Sequence, residues 1–346
     1  MSTSASSDDR PLRWAIVGIG RHTRRFIGPA IAASRLGVLA AVCSSRPDEA
    51  ADVSRDWGQP AVYASYDELL GCPGVDALFL VSPNNLHKDQ VTAAAAAGKH
   101  VLCEKPLAST PADCQEMVQA CAKAGVALGV GFHLRHNIVH ERAREIVASG
   151  QLGEVTFVSA RYAHATGGSA PAGPPPAWRR DPGQAGGGSF IGTGVHAIDL
   201  LRSVTGAEVT AVTVAADDNG IAYGEQNLLA SAKLSNGAIA SIHGGNLPYP
   251  ANELVICGTA GTVRCTGSVG NYGGGLLELI TADGEEAQEV ERHNVYAREC
   301  DDFVARVRAG EDPNASGVDG LRCAEVTVAI YASARTGALT SIPALG

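Results

Sequence analysis

The first third of the chain alternates short apolar segments with segments of helical composition. The apolar segments are residues 13–17, 38–43, 75–81, 100–103 and 126–131. Helical stretches of roughly 10–15 residues stand between several of them, residues 85–97 and 111–124 being the clearest. Since parallel strands need long crossover connections, this alternation predicts βαβ units in a doubly wound α/β sheet.

After a predicted bridging helix at residues 137–150, strand-like segments follow one another without helices between them. Asn236-Gly237 and Asp283-Gly284 each stand between two such segments, which predicts hairpins. Helical composition returns at residues 195–204, 297–309 and 318–336. With 346 residues, 45% of them hydrophobic, the chain can build two ordinary domains. We expect a tail at residues 1–10, a dinucleotide-binding domain at 11–136 and an α+β domain at 137–346.

Charge and cysteine usage exclude several classes of protein. The net charge of −9 gives no general attraction to nucleic acid or to an anionic membrane. No apolar run reaches the roughly 18 residues that a membrane span needs, and the Ser-rich, acidic start is expected to be disordered rather than a signal peptide. The nine cysteines lack the spacing of a metal or redox motif. These features predict a cytoplasmic protein without a metal site.

Gly18-Ile19-Gly20 follows the first strand and opens a helix. In that context the first glycine permits a tight turn, and the second lets the backbone approach a pyrophosphate at the helix N-terminus. Arg21 and His22 come next and are predicted to contact the same cofactor. Thr23 stands where the full fingerprint has its third glycine, so a plain strand–helix turn is the alternative.

The end of the second strand carries Ser44-Ser45-Arg46 and no carboxylate. NAD-binding domains place Asp or Glu there for the ribose hydroxyls, whereas hydroxyl and guanidinium groups suit a 2′-phosphate. This segment predicts NADP(H) rather than NAD(H). The alternative is that Arg46 only begins a surface helix.

Two further segments leave strands at the same predicted edge of the sheet. Ser82-Pro83-Asn84 follows one strand and Glu104-Lys105-Pro106 follows the next. Open α/β sheets bind ligands at this carboxyl edge. The bond before Pro106 is a candidate cis bond, and Lys105 is placed to donate to a substrate oxygen beside a nicotinamide.

Several motifs taken together resemble a known family. They are Gly18-x-Gly20, Ser82-Pro83-Asn84 with His87, Gly98-Lys-His-Val-Leu-Cys-Glu104-Lys105-Pro106, Trp178-Arg179, Gly194-Val-His196-x-x-Asp199 and Gly258-Thr-x-Gly261. This series resembles the Gfo/Idh/MocA family of sugar and cyclitol oxidoreductases over nearly the whole chain.

The resemblance implies a Rossmann domain, then a domain with an open-faced, mostly antiparallel sheet, and an active site between the two. It implies hydride transfer between a nicotinamide and a secondary alcohol or ketone of a sugar or cyclitol. Lys105 matches the residue that contacts the reacting oxygen, and His196 the acid/base. Asn84 and Glu104 match residues of the nicotinamide pocket. The predicted substrate contacts are His133, Arg135, Trp178, Arg179, Thr193 and His196. A homodimer or homotetramer is also implied.

The chain departs from the family pattern at one position. The family places Asp four residues before the active-site histidine, and this chain has Gly192 there. The resulting local charge is more positive. Thr193 and Asp181 are candidate substitutes, while Asp199 is expected to be structural.

Three alternatives stay open at this point. His196 starts a predicted helix with an apolar face, so on its own it would be a buried core histidine. A redox-assisted glycoside-cleaving enzyme is a second possibility. The missing carboxylate at Gly192 motivates the third, a non-catalytic nucleotide-binding sensor.

Overall fold

The computed structural model describes residues 10–166, 177–217 and 224–344. The chain forms two compact units. Unit 1 contains residues up to Leu107, Ala112–Gly131 and Tyr296–Gly320, and unit 2 contains Ala108–Pro111, Phe132–Val295 and the chain from Leu321 onward. The domain boundary expected between residues 136 and 137 stays a prediction. Tyr296–Gly320, which follows that boundary in the chain, packs as part of unit 1. Residues 1–9 of the expected tail and residues 167–176 lie outside the described residues.

Unit 1 is built on a parallel sheet. Its six strands in the described chain are β1 (Leu12–Val17), β2 (Gly37–Cys43), β3 (Ala61–Tyr63), β4 (Ala77–Leu80), β5 (His100–Cys103) and β6 (Leu128–Val130). Their order is β3-β2-β1-β4-β5-β6 and every pairing is parallel. This is the order of a dinucleotide-binding Rossmann sheet, so the fold prediction is confirmed. All four residues of the central strand β4 are buried and apolar, as expected for a strand covered on both faces.

The helices follow the sequence pattern closely. In the described ranges they are α1 (Gly28–Ala32), α2 (Pro47–Ser54), α3 (Tyr66–Leu70), α4 (His87–Ala96), α5 (Pro111–Ala124), α6 (Ile138–Ala148), α7 (Pro182–Ala185), α8 (Phe190–Thr205), α9 (Val295–Ala309) and α10 (Gly317–Thr336). Helix α4 ends just before Gly98, whose φ of 68° only glycine adopts at low cost. Asn137 caps α6 through its side-chain oxygen, which accepts from the Val139 N–H at 3.1 Å.

From sequence, Gly28-Pro29 is expected to break or kink the first helix, and the structure has a widened helical turn there instead. Residues Thr23–Ile27 form one π-helical segment that continues directly into α1. Pro29 has no N–H, and its ring would meet the carbonyl of the residue four positions earlier in a regular α-helix. The wider turn moves that carbonyl aside, so the helix continues past Pro29.

Helix α9 and the start of α10 complete unit 1. The ring of Phe303 lies 5.2 Å from that of Trp14 on β1. The Val130 N–H donates to the Ala315 carbonyl at 2.8 Å, next to an antiparallel bridge between Gly129 and Ser316. A segment distant in sequence therefore packs on the parallel sheet.

Unit 2 is built on a mixed sheet. Its strands among the described residues are β7 (Val155–Ala165), β8 (Val209–Ala216), β9 (Asn227–Leu234), β10 (Ile239–Leu247), β11 (Glu253–Gly258), β12 (Gly261–Thr266), β13 (Gly275–Thr281), β14 (Gly284–Val290) and β15 (Thr340–Ser341). The order is β14-β13-β12-β11-β7-β10-β9-β8-β15. Strands β7 and β10 are parallel and the other recorded pairs are antiparallel. The predicted α+β domain with a mostly antiparallel sheet is confirmed.

One face of this sheet packs against α8, chiefly through β7 and β10. Along β9 buried and exposed residues alternate, as the two faces of a strand require. On the face away from α8, Leu229 and Ile239 are 44% and 57% exposed. No helix within residues 10–166, 177–217 and 224–344 has the length and hydropathy needed to cross a membrane.

Candidate functional site

The glycine turn after β1 has the geometry that a phosphate cradle needs. Gly18 has φ 101°, and a Cβ there would lie 2.8 Å from the Val81 carbonyl oxygen, so a side chain is excluded. A Cβ on Gly20 would have no heavy atom within 4 Å, which leaves open space beside the first helical residue, Arg21. Thr23, in the place of the third glycine, donates from Oγ1 to the Gly18 carbonyl at 2.8 Å. Thr23, which replaces the third glycine of the fingerprint, therefore stabilises the turn.

Two loops at the carboxyl edge of the same sheet are joined by His87. This side chain is fully buried. Its Nε2 lies 3.1 Å from the Ser82 carbonyl, and its Nδ1 lies 3.0 Å from the Pro106 carbonyl. The peptide bond between Lys105 and Pro106 is cis. Burial lowers the pKa of His87, so the neutral imidazole donates from one ring nitrogen to a carbonyl of one loop and packs against the carbonyl of the other.

Glu104 and His22 meet within this edge of unit 1. The Glu104 Oε1 lies 3.1 Å from the His22 Nε2, and its Oε2 accepts from the Lys105 N–H at 3.2 Å. The His22 ring packs on the rings of Phe26 and Tyr296. Tyr296 is 2% exposed and belongs to this packing. Glu104 thus fixes the backbone that carries Lys105, whose side chain is half-buried.

The loop after β2 lies against the glycine turn. The Arg46 Nη2 donates to the Ile19 carbonyl at 3.3 Å, and the Ser44 Oγ accepts from the Arg46 N–H at 3.1 Å. Glu49 pairs with both Arg46 and Arg24. These two guanidinium groups, Arg24 first, lower the pKa of Glu49. Ser45 is exposed beside them.

These residues fit a dinucleotide. The cradle at Gly18–Gly20 leaves room for a pyrophosphate at a helix N-terminus, and Asn84 and Glu104 stand at the carboxyl ends of the neighbouring strands. Ser82 and Pro83 form the turn before Asn84 and are half-buried. The predicted cofactor residues of unit 1 therefore lie along one edge of its sheet.

In unit 2, His196 lies in a cluster of aromatic rings. Its ring centroid is 4.7 Å from that of His133, 5.6 Å from Tyr162 and 5.9 Å from Phe132. His196 and His133 are each 3% exposed. The His133 Nε2 lies 2.9 Å from the Gly270 carbonyl, which can only accept, so this nitrogen carries the proton.

Helix α8 begins six residues earlier than His196, not at it. The prediction that His196 starts the helix is wrong because Phe190, Gly192 and Gly194 already have helical backbone. A Cβ on Gly194 would lie 2.2 Å from the Phe190 ring, and a Cβ on Gly244 would lie 2.6 Å from the Gly194 Cα. These glycines let α8 approach β10 closely. The close approach determines how near His196 on α8 lies to the sheet.

Thr193 and Arg135 serve the packing of α8 in this structure. The Thr193 side chain is fully buried, and its Oγ1 accepts from the Gly245 N–H at 2.9 Å. Arg135 makes a buried two-point ion pair with Asp199, with Nη2 to Oδ1 at 2.6 Å and Nε to Oδ2 at 2.9 Å. The structural part expected of Asp199 is confirmed, while substrate contact by Thr193 or Arg135 stays a prediction.

Cationic and imidazole groups face Gly192. A Cβ at this position would lie 3.5 Å from the Arg179 Nη1 and 3.6 Å from the His164 Nε2. The Arg179 guanidinium stacks 5.0 Å from the Trp178 ring. The Asp181 oxygens accept from the Gly183 N–H and the Gln184 amide at the start of α7, and its part as a substitute for the missing carboxylate stays a prediction. These hydrogen bonds, that of Gln184 first, lower the pKa of Asp181.

Sequence reasoning missed Tyr162 and His164 as site residues. They stand two residues apart on β7, so both side chains lie on the face of the sheet that α8 covers. Two ring-bearing residues at that spacing in a strand are the sequence signal that could have indicated them. Glu225 was also missed. Its Oε1 accepts from the Phe190 N–H and the Tyr331 hydroxyl, contacts between segments far apart in sequence.

His140 is internal to unit 2. Its Nδ1 donates to the Leu134 carbonyl at 2.8 Å and its Nε2 accepts from the Ser268 hydroxyl at 3.0 Å. Burial lowers its pKa to about 4. Among the residues that the structure describes, no group of three or more His, Cys, Asp or Glu side chains is arranged to hold a metal ion.

Comparison with known proteins agrees with this arrangement. Residues 12–132 match the model of the GFO_IDH_MocA oxidoreductase family with an NAD-binding Rossmann fold. Residues 140–264 match the GFO/IDH/MocA C-terminal domain.

Curated relatives and a solved structure extend the likeness over the chain. A 1,5-anhydro-D-fructose reductase of Ensifer adhaerens is 31% identical over 95% of this chain and 98% of that protein. A D-xylose 1-dehydrogenase (NADP(+)) of Haloferax volcanii is 30% identical over 96% of this chain and 100% of that protein. The crystal structure of an aldose-aldose oxidoreductase from Caulobacter crescentus superposes with a TM-score of 0.87 at 29% identity, covering 96% of this chain and 100% of that one. The resemblance seen in the motifs is confirmed: the chain belongs to the Gfo/Idh/MocA family of sugar and cyclitol oxidoreductases with an NAD(P)-binding Rossmann fold.

Proposed function

We propose that this protein is an NADP(H)-dependent oxidoreductase that acts on a secondary alcohol or ketone of a sugar, a sugar derivative or a cyclitol. One observation carries the proposal: the glycine cradle at Gly18–Gly20 lies against the end of β4, at Val81, and Lys105 leaves the adjacent strand β5 at the same edge. When bound, the nicotinamide would accept or supply the hydride.

Two side chains are proposed to handle the substrate oxygen and its proton. The Lys105 ammonium donates to the reacting oxygen, and its backbone is held by Glu104. The His196 imidazole takes or returns the proton, a task that a histidine ring nitrogen can perform. The His133 ring is fixed by the hydrogen bond from its Nε2 to the Gly270 carbonyl. Because it packs on His196, it holds the His196 ring in place. Arg179, whose guanidinium faces Gly192, and Trp178, on which it stacks, are further proposed substrate contacts.

The preference for NADP(H) rests on the loop after β2. Arg46 and Arg24 carry two positive charges and Glu49 one negative charge, while the strand ends at Cys43 and is followed by Ser44. This balance favours a 2′-phosphate over two bare hydroxyls. The Haloferax relative is named for NADP(+), whereas the family model is described as NAD-binding.

Titration of the purified protein with NADP(H) and NAD(H) tests this preference. We expect tighter binding of NADP(H), and Arg46→Ala is expected to weaken it roughly tenfold while changing NAD(H) binding little, since an exposed charge-assisted contact contributes about 1–2 kcal/mol. Arg55→Gln, which removes an exposed guanidinium paired with Asp52, is the control. Tighter binding of NAD(H) by the wild type would refute the assignment.

Replacement of Lys105 tests the reaction. Lys105→Met is expected to lower turnover of sugars or cyclitols by about 10²–10⁴-fold while nucleotide binding is retained. The readout is the nicotinamide absorbance during substrate consumption. Consumption without a net absorbance change would favour redox-assisted glycoside cleavage, and tight nucleotide binding without turnover of any substrate would favour a sensor.

Localisation and assembly belong to the same proposal. The nine cysteines without metal or redox spacing favour a reducing compartment such as the cytoplasm. Exposed Leu229 and Ile239 on the face of the unit 2 sheet away from α8 favour a homodimer or homotetramer. Light scattering of the purified protein measures the assembly.

A further inference from the structure

The ion pairs of Glu49 carry an inference about how the protein selects its cofactor. The Glu49 carboxylate lies between two guanidinium groups: its Oε1 pairs with the Arg24 Nη2, and its Oε2 lies 2.5 Å from the Arg46 Nη1. Glu49 stands in the first turn of α2, whereas Arg24 belongs to the π-helical segment that follows the glycine turn. One carboxylate therefore links two positive side chains from different parts of unit 1.

Both arginines are anchored at the glycine turn. The Arg24 N–H donates to the Gly20 carbonyl at 3.1 Å, so Arg24 stands one helical turn after Gly20. The Arg46 Nη2 donates to the Ile19 carbonyl at 3.3 Å, while its Nη1 pairs with Glu49. The two guanidinium groups are thus held next to the turn at which the proposed dinucleotide would bind.

The three side chains form a charged group that a ligand can reach. Arg24 and Arg46 are exposed and Glu49 is half-buried. The guanidinium groups, Arg24 first, lower the pKa of Glu49, so its carboxylate keeps its negative charge at neutral pH. Two positive charges and one negative charge leave a net charge of +1, which becomes +2 when the carboxylate is removed.

We propose that Glu49 occupies the place of the 2′-phosphate of NADP(H) in the free protein and competes with that phosphate for Arg24 and Arg46. This inference rests on the proposed function and adds to it the residue that limits discrimination between NADP(H) and NAD(H). A phosphate monoester brings three oxygens and up to two negative charges to guanidinium groups that a single carboxylate now pairs, so it can displace Glu49. The ribose of NAD(H) has no such charge and leaves the ion pairs of Glu49 intact.

Two nucleotides that differ by one phosphate test the inference. Titration calorimetry compares the binding of adenosine 2′,5′-bisphosphate and adenosine 5′-phosphate to the wild type and to Glu49→Gln. We expect the variant to bind the bisphosphate about three- to tenfold more tightly, the size of the repulsion between a carboxylate and a phosphate dianion a few ångströms apart at an exposed site. Binding of the monophosphate should change little. Because salt screens exposed charges, the gain should shrink as the ionic strength rises.

Two further variants sharpen the test. Asp52→Asn is the matched control, since it neutralises another carboxylate of α2 that pairs with Arg55 instead, and it should leave bisphosphate binding unchanged. Arg24→Gln should weaken binding of the bisphosphate about tenfold, the factor of one charge-assisted contact, and that of the monophosphate little. Weaker bisphosphate binding by Glu49→Gln would mean that the carboxylate helps the arginines to bind the phosphate, and it would overturn the proposal. Equal binding by Glu49→Gln and the wild type would overturn it as well.

Titration with the whole cofactors separates this inference from the proposed function. If the wild type prefers NAD(H) and Glu49→Gln shifts the ratio of the two dissociation constants toward NADP(H), the competition by Glu49 stands and the NADP(H) preference fails. If the wild type prefers NADP(H) and Glu49→Gln leaves that ratio unchanged or lowers it, the preference stands and the competition is refuted.

Discussion

The buried ion pair between Arg135 and Asp199 allows a quantitative prediction. The Arg135 and Asp199 side chains are 7% and 1% exposed, and the guanidinium is held at 2.6–3.1 Å through Nη2 and Nε. Asp199→Asn keeps the shape of the side chain but removes the charge that compensates the guanidinium. Breaking one member of a buried pair costs about 3–5 kcal/mol, and we take the lower end because the amide oxygen still accepts.

This loss is large against the 5–15 kcal/mol that stabilises an ordinary domain. For a body of 150–250 residues, about 3 kcal/mol corresponds to a fall of about 6–12 °C in the melting temperature. Differential scanning calorimetry measures it directly. Because Arg135 stands two residues after His133, whose ring packs on His196, we also expect kcat to fall.

The double variant Arg135→Met, Asp199→Leu distinguishes a buried charge from a lost contact. Replacing both members by apolar groups removes the desolvation cost together with the attraction, so stability should return to within about 1–2 kcal/mol of the wild type. Arg142→Gln, which breaks an exposed pair with Glu145, is the control and should change the stability by less than about 1 kcal/mol. A loss below 1 kcal/mol for Asp199→Asn, or a double variant less stable than either single one, would refute the reasoning.

Three further predictions concern stability. The pKa of His140 falls to about 4 on folding from an ordinary 6.5. The contribution of His140 to the free energy of unfolding is therefore complete above pH 6.5, and it declines by up to about 3 kcal/mol as the pH drops to about 4. His140→Gln should remove this part of the acid dependence of stability, measured by urea unfolding at several pH values. An unchanged slope of the unfolding free energy against pH would contradict the prediction. Gly194→Ala should cost about 3 kcal/mol or more in thermal melts, since its Cβ would meet the Phe190 ring, whereas Gly192→Ala in the same helix should not. His87→Phe should cost about 1–3 kcal/mol by leaving a buried carbonyl without its donor, and an unchanged melting temperature would exclude that bond.

Much of the fold could be predicted because apolar segments and turn residues are local signals. The Pro111–Ala124 helix has the predicted bounds, and the two predicted hairpins lie at Asn236-Gly237 and Asp283-Gly284. Strand β3 and helix α3 were missed, since three and five residues are too few to show a period. Their place is decided by pairing with β2 and packing rather than by their own pattern.

The candidate site was less accessible to sequence reasoning, because it depends on contacts between distant segments. The loops at Ser82 and Lys105 could be placed at one sheet edge from topology alone. No local pattern indicates that His87 joins them through carbonyls, or that Arg179 and His164 face the space before Gly192. Likewise the start of α8 at Phe190 depends on Glu225, which accepts the Phe190 N–H from 35 residues away.

The packing of Tyr296–Gly320 on the parallel sheet has a consequence for how the protein is made. At about 5–20 residues per second, a ribosome spends roughly ten to thirty seconds on the residues between Gly131 and Tyr296 before it delivers Phe303 to Trp14. During that interval the nascent Rossmann sheet lacks the ring and backbone partners that cover Trp14 and Val130. A fragment cut after residue 136 would keep that exposed apolar surface permanently, so an isolated nucleotide-binding domain needs residues 296–320 joined back to it.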